Sequence, residues 1–408
     1  MAERAYIGDE GHLARLNVWA VEPFLGGSHR DFVEGLCRYS SHEVVPFTLP
    51  GRNWKWRMQG GAVTLAERAR RKLEEGDDQA ARWVGRCPGA PDVIVASDML
   101  DLPAFLALGG PGLAAVPSIV YFHENQLTYP LPPGTPRDLG YGMKNVVSAL
   151  TARIVLFNSG YHRQEFLGAV AELMDSMPDE VPEWVHPALE AKSRVLALGC
   201  DLRRFDSGRE RGLADAASGR WGNPGDGPLI LWNQRWEYDK APEALFEGLE
   251  ALKAQGVRFR LAVAGCNHGP EPGEFSRARK ALGDQVVQWG RVAGDEEYGS
   301  LLWASDLVVS TAIHEFFGAG VVEAIYCGCR PVLPRRLSYP EIVPAAAHKD
   351  VLYGEGEFLA ALAKAVECPR AWSEDWQRTW VARFDWAALK RRYDNEIRRC
   401  WRPALEER

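Results

Sequence analysis

Short apolar runs recur along the whole chain: LNVWAVEPF, EVVPFTL, DVIVAS, PSIVYF, RIVLFNS and SRVLAL in the first half, then LILWNQ, FRLAVAG, QVVQWG, DLVVST and RPVLP in the second. Amphipathic stretches separate them, and no other feature narrows the fold so far. Runs of Val, Ile and Leu without period-two alternation suit strands buried on both faces, and buried strands joined through helices build parallel sheets. Two such series predict two doubly wound α/β units. In the helix expected over 242–255, Leu245, Leu249 and Leu252 fall on one face. Several runs end in polar residues: Asp98 after DVIVAS, the triplet His123, Glu124 and Asn125 after PSIVYF, and Asn158 with Ser159 closing RIVLFNS. In a parallel sheet these carboxyl ends gather on one rim, where open α/β sheets bind ligands.

A chain of 408 residues has room for two domains of ordinary size. The segment 207–227, rich in Gly, Arg, Asp and Pro and without helical periodicity, reads as the linker between them. The divisions expected are a polar lead-in over 1–15, a first Rossmann-like domain over 16–206, a second over 228–384, and a C-terminal helix and tail over 385–408. That last helix is basic and amphipathic with no strand after it, so it must dock on something already built, and it is expected to cross back to the first domain. An Arg-rich surface helix is expected from Ala62 to Val84. The net charge of −7 excludes a global basic field of the kind that recruits nucleic acid without a local patch. Eight scattered cysteines with no CxxC argue against a zinc ribbon and for a reducing, cytoplasmic compartment. The start MAERAYIGDEGHLAR has no apolar core of a secretion signal, and no stretch of the chain is apolar for long enough to span a membrane.

The chemistry is expected in HEFFGAGVVEAIYCGC, residues 314–329, where Glu315 and Glu323 flank a glycine-containing helix start behind the strand DLVVST. Strand, loop and helix in that order would put the backbone N–H groups of Phe316, Phe317 and Gly318 at a helix N-terminus, which favours a phosphate. Carboxylates only accept hydrogen bonds, so Glu315 and Glu323 suit sugar or ribose hydroxyls. A Glu set among GAGVV and AIYCGC is costly unless partnered, which argues against a solvated helix face. Arg235 and Lys240 follow the strand LILWNQ. Read alone they are surface cations at a helix start; read with Glu315 they are fixed cations for a diphosphate leaving group whose charge grows in the transition state. Gly26 and Gly27 end the first strand and lead into a helix, as at the opening of a βαβ unit, and His29 follows them. His123 has a core reading and a cleft-lining one, and its place at a strand end favours the cleft. Asp98 and Asp101 lack the spacing of a metal-binding DxD, and no metal is expected. In GRNWKWRMQG, Trp54, Lys55, Trp56 and Arg57 interleave rings and cations as base stacking and phosphate contacts to RNA require.

Taken together, Glu315 with Glu323, Arg235 with Lys240, the glycine loop and the segment GCDLRRF resemble the retaining glycosyltransferases of the GT-B fold, two Rossmann-like domains facing across a cleft. EPFLGGSHR, TLPGRNWKWR, YFHENQLTYP, LFNS, WNQRWEYDK, HEFFGAGVVEAIYCGC and LSYPEIVP are similar, more narrowly, to the tRNA-queuosine mannosyltransferase family. The resemblance implies transfer of mannose from GDP-mannose, with retention, to the cyclopentenediol of queuosine at the wobble position of an aspartate tRNA. It implies Arg235 and Lys240 on the diphosphate, Glu315 on the donor sugar, Glu323 on the ribose, Gly26 and Gly27 beside the donor, and His123 at the reacting centre. His29, Asn125, Asn158 and the WKWR residues would meet the acceptor. The partners implied are a nucleotide sugar and tRNA, without a membrane, a metal or any cofactor beyond the donor. Two other readings compete: the same fold acting on a small-molecule or lipid acceptor, and a non-catalytic protein that binds a nucleotide sugar or tRNA.

Overall fold

A computed structural model of the chain describes residues 15–75, 89–265, 270–369 and 373–401. All but the last residue of the expected lead-in, the end of the Arg-rich helix and the tail from residue 402 lie outside them.

The first lobe is a six-stranded parallel sheet in the order β2-β1-β3-β4-β5-β6. Its strands are β1 (Asn17–Leu25), β2 (Glu43–Pro50), β3 (Val93–Ser97), β4 (Ser118–Phe122), β5 (Ile154–Phe157) and β6 (Ser193–Val195). The second lobe repeats the plan in the order β12-β11-β10-β7-β8-β9. There β7 is Leu229–Trp232, β8 Arg260–Ala264, β9 Val286–Gly290, β10 Leu307–Val309, β11 Arg330–Pro334 and β12 Leu352–Tyr353. Every residue of β3, β4, β5, β7, β8, β10 and β11 is buried, which is why their sequences run apolar instead of alternating. The second sheet has six strands where five were expected; β12 is two residues long and leaves no periodicity to read.

Residues 207–227 are not an irregular linker. Leu202–Gly208 forms a 3-10 turn and Arg209–Ser218 a helix folded on the second lobe. A side chain at Gly212 would strike Trp303, and the Trp221 indole donates to Ser300 Oγ at 3.1 Å. Small residues here serve close packing, and composition alone mistook them for flexibility.

The C-terminal helix Trp386–Trp401 crosses back to the first lobe, as expected. Asp394 accepts from Ser40 and Ser41, Tyr393 Oη donates to Ala197 O at 2.7 Å, and the Trp386 indole fills space left by two glycines. A Cβ on Gly35 or Gly199 would lie 2.1 or 2.5 Å from that ring. The chain passes between the lobes at Cys200 and again at Asp385, and the two passages pair as a short parallel bridge. No helix among the described residues is long and apolar enough to cross a membrane. Trp386 is 1% exposed. Trp386→Ala should therefore lower the unfolding free energy by about 3 to 5 kcal/mol in denaturant titration; a loss under about 1 kcal/mol would mean that this helix does not clasp the lobes.

Candidate active site

In each sheet the strand order reverses once, between β1 and β3 and between β7 and β10. Crevices open at the carboxyl ends of strands at such points. In the second lobe the loops leaving β7 and β10 are tied together there. Thr311 Oγ1 donates to the carbonyls of Lys240 and Ala241, and the Asp239 carbonyl accepts from the amides of Ile313 and His314. Lys240 closes the 3-10 turn Tyr238–Lys240, which ends on Ala241 at φ +44°. Its ammonium lies 3.1 Å from Glu315 Oε2 and 3.0 Å from Asp239 Oδ2, and donates to His314 O at 2.9 Å.

Burial opposes charge on both Lys240 and Glu315, but each holds the other ionised. The Lys240 pKa is raised by Glu315 and Asp239, and that of Glu315 falls below its ordinary value through Lys240 and the Phe317 amide. Arg235 has half its side chain exposed; its guanidinium donates to Tyr129 Oη at 3.3 Å, and Glu237 stands 3.4 Å away. One cation is fixed in the wall and one reaches into the open cleft.

The amides expected to face a phosphate are misassigned in part. The helix begins at Ala319, with Gly318 at φ +88° as its N-cap. Phe317 donates its N–H to Glu315 Oε1 at 3.3 Å, and the Phe316 ring stacks on His162 of the first lobe at 3.6 Å. Gly318 and the first-turn residues Ala319 and Gly320 stand at the helix start instead. Gly320 is held close to Asn233, whose Nδ2 donates to its carbonyl at 2.8 Å. Further along, Glu323 Oε1 accepts from Arg204 at 2.8 Å and Oε2 from Tyr298 at 3.0 Å. Burial raises the Glu323 pKa while Arg204 lowers it. Arg204 and Tyr298 were not foreseen; GCDLRRF was noticed as a motif without a role for its second Arg.

Across the cleft, β1 ends in the Gly26-Gly27 turn, Gly27 at φ +52°, and leads into the helix Ser28–Tyr39. His29 is 6% exposed and its Nδ1 meets Glu22 Oε2 at 2.8 Å. Burial alone would lower its pKa, but Glu22 pushes it up to about 9. The His29 ring lies 4.1 Å from that of His123, which burial and the neighbouring imidazolium keep neutral. Asp98 Oδ1 accepts the His123 amide at 2.8 Å, and burial raises its pKa to about 8. Asp101 has an unrelated task, capping the helix Leu102–Gly109 and pairing with Lys144.

Two acceptor assignments are corrected. Asn125 is fully buried, and its Oδ1 accepts from the amides of Leu127 and Thr128, so it shapes its own loop. Asn158 is 4% exposed; it donates to His123 O and pairs with His162 Nδ1, tying β5 to β4. A polar residue at a strand end reads alike whether it faces a ligand or secures a turn. Tyr129 was missed for the opposite reason: in a proline-rich loop nothing marks the ring that meets Arg235, Glu237 and His314 from the other lobe.

The WKWR residues open the helix Trp54–Glu75, earlier than the expected start at Ala62. Trp56 is 67% exposed, Trp54 rests on Tyr141 with Lys55 over its ring, and Arg57 donates to Pro50 O. Gly51, just before them, packs against Leu25 and Gly26. These rings and cations therefore stand on the rim that carries the Gly26-Gly27 turn.

Comparison with known proteins bears on the fold and the family. Anabaena HepE in complex with UDP overlies 94% of this chain and 99% of its own (TM-score 0.62, 17% identity). The catalytic domain of starch synthase IV from Arabidopsis thaliana, bound to ADP and acarbose, overlies 95% and 100% (TM-score 0.67, 13% identity). At such identities the likeness speaks for the fold alone, which is GT-B. Residues 215–375 match the family "Glycosyl transferases group 1", and residues 17–200 match "tRNA-queuosine alpha-mannosyltransferase N-terminal". The chain is a glycosyltransferase. The tRNA-queuosine alpha-mannosyltransferase of Drosophila melanogaster is 35% identical over 349 residues, 85% of either chain. A GDP-mannose-dependent alpha-(1-6)-phosphatidylinositol dimannoside mannosyltransferase of Mycobacterium tuberculosis is 24% identical over 319 residues, 75% of this chain and 74% of its own. The chain belongs to the tRNA-queuosine alpha-mannosyltransferase family and is a mannosyltransferase.

The protonation of the first-lobe wall has a measurable sign. His29 and Asp98 hold protons more tightly when folded, with pKa values of about 9 and about 8 against ordinary values of 6.5 and 3.8. Their contribution to stability therefore falls as pH rises, and that of His29 is whole below 6.5 and lost through about 9. The thermal midpoint of the wild type should fall over this interval more steeply than that of Glu22→Gln; parallel curves would contradict the ion pair.

Proposed function

We propose that this protein transfers mannose from GDP-mannose, with retention at the anomeric carbon, to the cyclopentenediol of queuosine at the wobble position of an aspartate tRNA. The reading rests chiefly on one arrangement: a buried Lys240–Glu315 pair with exposed Arg235 beside it, set across a cleft from His123 and a Trp- and Lys-bearing rim. The names of the Drosophila and mycobacterial relatives support the acceptor and the donor respectively.

Each residue has a task in this reading. Arg235 and Lys240 receive the diphosphate, whose charge increases as the glycosidic bond breaks, so they stabilise the transition state more than the bound donor. Lys240 is held in place by three acceptors before donor arrives, so it keeps its position and exchanges one of these hydrogen bonds for a phosphate oxygen. Glu315 has lone pairs left beyond Lys240 and the Phe317 amide, and these accept from mannose hydroxyls. The helix start at Gly318 and Ala319 faces the distal phosphate. Glu323, fixed by Arg204 and Tyr298, accepts from the ribose. Glu315 is committed to an ion pair and serves as a sugar ligand, not a nucleophile; retention is assigned to front-face attack, with the departing phosphate oxygen taking the acceptor's proton. His123, neutral and buried beside the reacting centre, borders the acceptor hydroxyl. Trp54, Trp56, Lys55 and Arg57 bring stacking surfaces and cations to an anticodon loop.

Incubation with GDP-mannose should retard queuosine-containing tRNA, but not tRNA lacking queuosine, on an acid gel that resolves the sugar. Transfer to a lipid or small sugar with the tRNA untouched would refute the acceptor. Lys240→Met should lower kcat roughly 10²- to 10³-fold by removing a preorganised cation, and Glu315→Ala should abolish transfer and lower the melting temperature, since Lys240 loses a buried partner, while the fold stays intact. A fully active Glu315→Ala variant would remove the assigned role.

A further inference from the structure

The first-lobe wall carries more negative charge than its own residues neutralise. Glu22 and Glu124 share a single imidazolium, that of His29, while burial keeps the Asp98 carboxyl protonated up to about 8 and His123 neutral. Asp98 is 1% exposed and its Oδ2 has no hydrogen-bond partner among the described residues; neither ring nitrogen of His123, 7% exposed, has one either. Buried acceptors left in this state are costly unless something polar enters beside them.

Glu124 differs from the other two acids in standing half-open at the end of β4. Gln126 donates to its Oε1 at 3.1 Å, and the Gln126 amide is itself fixed by Asn145 Oδ1 at 2.8 Å. Its Oε2 makes no hydrogen bond among the described residues, and no described Lys or Arg forms an ion pair with it. Its charge is felt by His29 and Asp98 within the lobe and by Tyr129 and Arg235 on the cleft side. Glu124 directly follows His123, and Tyr129 of the same loop meets Arg235 at 3.3 Å, so the carboxylate stands between the wall that faces the acceptor and the cations that face the donor. Those cations already answer to Glu237, Asp239 and Glu315.

We propose that Glu124, backed by Asp98 and Glu22, binds a protonated amine of the acceptor, carried a few bonds from the hydroxyl that receives the sugar. The proposal rests on the functional reading above, since queuosine joins its cyclopentenediol to the base through a secondary alkylamine. Such an amine titrates near a lysine, at about 10, and arrives charged. Desolvated against a carboxylate that forms no ion pair among the described residues, it both anchors the diol and repairs the charge imbalance. An acceptor with the diol but no amine gains neither.

A divalent ion is the competing cation, because Glu22, His29 and His123 bring one possible ligand atom each within 4.8 Å of one another. Against it, His29 Nδ1 already meets Glu22 at 2.8 Å, and the two imidazoles lie face over face with only 31° between planes. Lone pairs of rings so stacked run side by side and do not converge as a tetrahedral site requires.

The test is steady-state transfer from GDP-mannose by the full chain, wild type against Glu124→Gln, with queuosine-containing tRNA, free queuosine nucleoside and the same nucleoside acylated on its amine. Glu124→Gln should raise the acceptor KM about tenfold or more, the value of a lost charged hydrogen bond, while the donor KM moves less than about twofold. The wild type should prefer the free nucleoside to the acylated one, and the variant should not distinguish them. Equal acceptor KM in both proteins, with normal melting, overturns the proposal, as does stoichiometric zinc or manganese in the purified protein whose chelation abolishes transfer. Wild-type protein that transfers mannose to no queuosine acceptor defeats the functional reading and this proposal with it; activity indifferent to residue 124 defeats this proposal alone.

Discussion

The buried pair of Lys240 and Glu315 is the interaction on which the donor half of the site depends. An ammonium and a carboxylate out of water are costly singly and tolerable only when their geometry is fixed by further hydrogen bonds. Asp239, the His314 carbonyl and the Phe317 amide supply these. To deliver them, the loops after β7 and β10 have to be laced together by backbone and Thr311 contacts. In the proposed function, a cation for a leaving diphosphate and an acceptor for sugar hydroxyls would then follow from one local constraint. The αL residue Ala241 and the left-handed Gly318 are the backbone adjustments that let both loops reach their places.

The acceptor half obeys a different electrostatic rule. Its acids outnumber its cations and are largely buried, whereas the donor half holds Lys240 ionised against two carboxylates and leaves the Arg235 side chain half exposed in the cleft. The lobes touch where the two rules meet: Tyr129 reaches Arg235, Phe316 stacks on His162, and Glu341 accepts from the amides of Gly160 and Tyr161 at 2.8 and 2.6 Å. The crossing helix Trp386–Trp401 and the paired passages at Cys200 and Asp385 set how far apart these faces stand.

Much of this was legible in the sequence because parallel strands buried on both faces write their burial directly into composition. Eleven of the twelve strands were visible as apolar runs, and the failure at Leu352–Tyr353 reflects a strand too short to carry a pattern. Glu323 stood out because charge set among small apolar residues needs a reason, and Arg235 and Lys240 because they follow a strand end; the structure sets Lys240 against Glu315 and Arg204 against Glu323. Asn125 and Asn158 were misread because a strand-end amide that closes a turn has the same signature as one that meets a ligand. Tyr129, Arg204 and Tyr298 act through contacts between distant segments, and sequence spacing holds no record of these. The helix Arg209–Ser218 was hidden by a glycine-rich composition in which Gly212 admits Trp303, a partner some ninety residues away.

A structure of the protein with GDP-mannose bound tests the central claim most directly. The account predicts diphosphate oxygens within ion-pair distance of Arg235 and Lys240, mannose hydroxyls on Glu315, ribose hydroxyls on Glu323 and the anomeric carbon turned toward His123. A diphosphate held elsewhere, with the Lys240–Glu315 pair left untouched by donor, would contradict it.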